Sequence, residues 1–84
     1  MIDENFKELE PLIAAMGDKD ARARQGATIA LGKLDDPQAV DSLIAALHDE
    51  AGLERELAAK ALQKIGTPEA LAAVKKWRDE QKKD

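Results

Sequence analysis

Cysteine and tyrosine do not occur in these 84 residues, and phenylalanine and tryptophan occur once each. Without thiols there is neither a disulfide framework nor a thiolate zinc site. With so few aromatics the core has to be aliphatic, and the many alanines favour helices that pack closely. No run approaches the roughly 18–20 consecutive apolar residues that a membrane helix needs. The opening MIDENFKELE is acidic and has no apolar stretch, so it does not read as a secretory signal. An excess of basic residues is missing too: 13 Lys and Arg stand against 17 Asp and Glu, a net charge of −4. A duplex binder needs clustered positive charge to neutralise phosphates. These absences lead us to expect one small soluble, cytoplasmic domain, near the lower size limit for a self-sufficient core, with neither nucleic acid nor membrane as partner.

What is present is a repeat. Residues 12–40, LIAAMGDKDARARQGATIALGKLDDPQAV, lie without gaps over residues 43–71, LIAALHDEAGLERELAAKALQKIGTPEAL, and twelve of the twenty-nine columns are identical. Self-similarity at a fixed spacing of 31 is the mark of a repeat array. Each unit reads as two helices. Asp36 caps one with Pro37 in its first turn, and Ala39, Val40, Leu43, Ile44 and Leu47 form its apolar stripe. After a break at His48–Gly52, a second helix carries Leu53, Leu57, Ala58, Ala61, Leu62 and Ile65. Gly66 is placed to end it, and Thr67-Pro68 opens a fifth helix. The first unit gives helices over roughly 3–16 and 20–34, with Pro11 expected to kink or shorten the first. The fold expected is all-α: an α-solenoid of stacked antiparallel helix pairs, five helices in a single domain over 1–84. Its units run about 3–34 and 36–66, with a terminal half-unit at 67–81.

The recurring Arg24, Ala27, Ala30, Leu31, Gly32, Leu34, Asp36, Pro37, Ala39, Val40, Leu43, Ile44 and Leu47 resemble the HEAT-like repeats of the phycobilisome-lyase type. The second copy departs at Gln63, in the glycine column, and at Thr67, in the aspartate column. The resemblance implies a protein-binding scaffold whose second helices line the inner surface. One enzymatic branch, resembling deoxyhypusine hydroxylase, holds iron with His-Glu pairs after the repeated arginine. Those columns here are Gln25-Gly26 and Glu56-Leu57, so that ligand set is lacking. The bilin lyases are a second enzymatic precedent, and no nucleophile for their chemistry is present.

Differences between the copies describe the ends. Leu53 and Leu57 are apolar where the first unit has Arg22 and Gly26, consistent with a preceding repeat covering only the former pair. Lys75 and Arg78 stand in the columns of Ile44 and Leu47, which gives the last helix a charged outer side. Two and a half units is short for a solenoid, so modest stability or self-association into a homo-oligomer is expected. A monomeric melt above roughly 90 °C would contradict that.

No catalytic, cofactor or metal residues emerge. His48 is the only histidine and reads as a solvated turn residue. Asp18 and Asp49 read as caps of the second helices, with Arg24 and Arg55 bracing the turns. Residues 35–49 sum to −4 and residues 18–34 to +2, so first helices are acidic and second helices neutral to mildly basic. The solvent-facing positions on the second helices are Gln25, Ile29, Lys33, Glu56, Lys60 and Gln63. Ile29 is apolar in the column where the second copy has Lys60. Trp77 replaces the alanines of its column and reads first as an end cover of the core, otherwise as a partner anchor. The functional expectation is a non-catalytic scaffold that binds a protein or peptide through these residues, without a cofactor. A structural module that self-associates, or a subunit of a lyase-like complex, is the alternative.

Overall fold

The structure, a computed structural model, describes residues 4–82, with side-chain burial from Leu9 onward. Among these described residues five α-helices follow one another: α1 (Glu4–Ala15), α2 (Ala21–Leu34), α3 (Val40–Ala46), α4 (Gly52–Ile65) and α5 (Pro68–Gln81). A single 3₁₀ turn, Pro37–Ala39, leads into α3, and no strand occurs among the described residues. The chain is an all-α helical-repeat solenoid. α1 pairs with α2 and α3 with α4, α2 packs most extensively against α4, and α5 covers α3 and α4. Odd-numbered helices form one layer and α2 with α4 the other. Two layers with axes about 8–10 Å apart span about 13–15 Å between outermost Cα atoms, in line with the shortest dimension of 15 Å.

Leucines from every layer fill the interior: Leu9, Leu31, Leu43, Leu47 and Leu62 are fully buried, with Ala39, Ala58, Ala61 and Ala70 between them. Small residues set the spacing between α2 and α4. A Cβ added at Gly32 would lie 3.0 Å from the Ala61 Cβ, so α2 and α4 approach as closely as they do only because that side chain is missing. Gln63 occupies the same column on α4. A further second helix could not approach α4 as α4 approaches α2.

Helix ends follow local chemistry, with several departures from the sequence reading. Asp20 caps α2 by accepting from the Arg22 N–H at 2.9 Å. Thr67 caps α5 by accepting from the Ala70 N–H at 3.2 Å. Asp36 does cap, accepting from the Gln38 N–H, but the segment it opens is the 3₁₀ turn rather than α3 itself. Asp18 and Asp49 do not cap. Each accepts from the backbone N–H two residues on, Asp20 and Ala51, and so closes the turn before the helix. α4 therefore has Ala51 in the N-cap position, with no side-chain cap. The arginines brace as expected. Arg24 donates to the Asp18 and Lys19 carbonyls at 2.8 and 3.1 Å, and Arg55 to the Asp49 and Glu50 carbonyls at 2.6 and 3.1 Å. Arg24 also reaches the next unit, its Nε 2.9 Å from Asp49 Oδ2.

Gly66 ends α4 in the left-handed region, φ 71°. Its counterpart Asp35 ends α2 at φ 57°, the one described non-glycine residue with positive φ. Pro11 does not shorten α1, which runs past it to Ala15; the expected start at Asp3 lies outside the described residues. Leu53 is not covered by the preceding unit. It is 57% exposed, and only Leu57 is half-buried; in the first turn of α4 it is Glu54 that is turned onto α2.

Candidate functional site

The layer formed by α2 and α4 carries an open groove of about 190 Å³ along their seam. α2 contributes Thr28, Ile29, Gly32 and Lys33; α4 contributes Leu57, Lys60, Ala61 and Lys64. The shape follows from the sequence. Gly32 against Ala61 brings the backbones together and leaves a furrow above them, and side chains one turn away on either helix form its walls. Ile29, 45% exposed, and half-buried Leu57 make the apolar part. Lys33, Lys60 and Lys64 are exposed at its edges, and no acidic side chain lines it. Lys33 and Lys64 stand in the last turns of α2 and α4, where a cation complements the helix dipole. Lys60 lies a turn earlier, outside the range of that effect.

Of the residues singled out in the sequence, Ile29, Lys33 and Lys60 meet in this groove. Gln25, one turn before Ile29, is half-buried, and Glu56 is exposed one turn before Lys60. Gln63 is turned towards α5: with its amide oxygen facing Arg78, it accepts from both terminal guanidinium nitrogens at 3.0 and 2.7 Å. Trp77 does not belong with the others. It is only 6% exposed and packs into the core, as the end cover rather than a surface anchor. A separate hollow of about 140 Å³ lies beside it on the first-helix face, walled by Ile44, Leu47, Ala73, His48, Lys76 and Glu80.

Two groove residues went unread in the sequence although a signal was there. Lys64 shares an identical column with Lys33, and that repeat alone could have placed the two at the same level on facing walls. Leu57 read as core because half of it is. Glu54 gave no signal. In the first turn of α4 a glutamate is ordinarily solvated, yet Glu54 is 1% exposed beneath the groove and hydrogen-bonded to the buried Thr28 hydroxyl of α2. Its Oε2 has no partner. The Thr28 hydroxyl also lies 2.9 Å from the Arg24 carbonyl and 3.0 Å from Met16 Sδ. This polar contact ties the two repeats together just below the apolar floor.

Among the described residues no group of three or more His, Asp or Glu side chains is gathered to hold a metal ion. No helix among them is long and apolar enough to cross a membrane. No curated protein sequence matches the chain. A family model described as HEAT repeats matches residues 9–84. Paired helices stacked at a 31-residue period, with the arginine brace repeated in both units, agree with that match, and the chain belongs to the HEAT-repeat family.

Proposed function

We propose that this protein is a non-catalytic scaffold that binds a segment of another protein, or a peptide, in the groove between its second helices. The observation that carries the reading is Ile29: a large apolar side chain left exposed in a concave seam, beside Leu57 and among three lysines. A lone exposed isoleucine needs no explanation; one that shares a groove with a second apolar residue and uniform charge is a recognition feature. HEAT repeats are generally non-catalytic scaffolds that mediate protein interactions, which supports the same reading. Acidic first helices flank the mildly basic groove, so a partner segment with acidic residues is favoured over nucleic acid. Within the family we read the repeat pattern as nearest the phycobilisome-lyase type, in a binding rather than a catalytic role.

The test is affinity capture from source lysate with mass-spectrometric identification, comparing wild type with an Ile29→Glu/Lys60→Glu double variant. A partner recovered by wild type and lost by the variant supports the groove. The same partner held equally by both places the contact elsewhere. One observation favours the alternative, association through an end: Leu71 on α5 is 47% exposed, in the column where Val40 is buried. Against it, Gln63 and Arg78 close over that end and block stacking in the same register. A sedimentation mass that rises with concentration would favour the end.

A further inference from the structure

We infer that the groove takes an extended segment with one apolar anchor followed, on the same face, by two carboxylates: the pattern Φ-x-[D/E]-x-[D/E], in either chain direction. This rests on the groove being the binding surface and specifies what fills it. A furrow of about 190 Å³ takes a single apolar side chain; a helix, about 10 Å across, cannot enter it. An extended chain can lie along the seam with alternate side chains pointing down.

Spacing then fixes the pattern. The apolar part of the groove is centred on Ile29 and Leu57, and the lysines lie towards the C-terminal ends of both helices. At 1.5 Å per residue, Lys60 and Lys64 lie about 4.5 and 10.5 Å along α4 from Leu57. Same-face positions of an extended chain recur every ~6.6 Å, so the second and fourth residues after the anchor come over Lys60 and Lys64. The small mismatch is within the swing of a lysine side chain. Lys33, in the Lys64 column of α2, faces the outer carboxylate from across the seam. Three cations with no acidic neighbour in the lining leave partner carboxylates as the complement. The apolar floor sets this apart from a phosphate-backbone track, which needs charge and no anchor.

The experiment is selection of a phage-displayed library of random linear dodecapeptides on the whole chain, followed by titration of the enriched peptides. Counter-measurements use Lys33→Gln/Lys60→Gln/Lys64→Gln and Ile29→Glu; all four positions are exposed, so folding is retained, with circular dichroism as control. The expected result is enrichment of the anchor-and-two-acids pattern, affinity reduced at least tenfold by either variant, and weakening with added salt. Peptides that depend on Ile29 but lack the spaced acids overturn this inference and leave the peptide groove standing. Peptides indifferent to Ile29, or no enriched peptide, overturn both. Tight binding of a 20-base-pair duplex that disappears in the lysine variant, in place of peptide binding, also overturns it.

Discussion

The buried contact between Thr28 and Glu54 gives the sharpest prediction about energetics. Thr28→Val keeps the shape of the side chain and removes the hydroxyl. Glu54 then loses the one partner it has, since its second oxygen is already unpartnered. A hydrogen bond to such a group contributes about 1.5–3 kcal/mol, and leaving the group buried and unmet adds to the loss. For a chain of this size we expect destabilisation of about 2–3 kcal/mol, a large share of the total, and a Tm lower by roughly 10–20 °C. Glu54→Met has the opposite logic. It removes the carboxyl from an enclosed site at similar volume, while the Thr28 hydroxyl keeps the Arg24 carbonyl at 2.9 Å. The bond to Thr28 goes together with the cost of burying the carboxyl. The remaining loss is a favourable charge in the first turn of α4, about 0.3–1 kcal/mol, so the substitution should be near neutral or stabilising. The double variant should resemble Glu54→Met alone. Thermal and urea unfolding followed by circular dichroism give the cycle. A neutral Thr28→Val, or a double variant whose loss is the sum of two large single losses, would refute the reasoning.

Each repeat lacks a device that the other has, and the exchanges make further predictions. Asp35→Gly places glycine at a left-handed helix end, as Gly66 already is, and should raise stability by about 0.5–1 kcal/mol in urea unfolding. Ala51→Ser supplies the cap that α4 lacks without adding charge beside Glu50, and should give about 0.5–1 kcal/mol in the same assay. Gly26 and Gly32 should separate: a Cβ at Gly26 meets nothing within 4 Å, so Gly26→Ala gains about 0.5–1 kcal/mol of helix propensity. At Gly32 the 3.0 Å approach to Ala61 forces α2 from α4, and overpacking of about 1–3 kcal/mol cancels or exceeds that gain. Equal melting temperatures for the two variants would show that the close approach is not a constraint.

The architecture was legible because a repeat states its pattern twice. Helix order, the glycine end at Gly66, the Thr67 cap and the arginine braces all came from column identities and local rules. What escaped depends on how the copies sit against one another. Asp18 and Asp49 looked like caps because a cap and a two-residue turn use the same side chain, and only the backbone path tells them apart. Leu53 looked buried because the repeat period leaves open which residue of a first turn faces the neighbouring helix, and here it is Glu54. Part of the groove, Ile29 with Lys33 and Lys60, was visible as surface positions on second helices. The furrow itself was not, since it arises from the meeting of Gly32 with Ala61 across 29 residues of sequence.

The groove is tested most directly by the isoleucine methyl groups, which are spread over the whole molecule. Ile29 lies in the groove, Ile44 beside Trp77 on the opposite face, and Ile65 against the core at the end of α4. Methyl-labelled protein titrated with a selected peptide, and followed by two-dimensional NMR, should show a saturating shift at Ile29 with Ile44 and Ile65 unmoved. A shift at Ile44 with Ile29 still would place binding on the first-helix face and contradict the account.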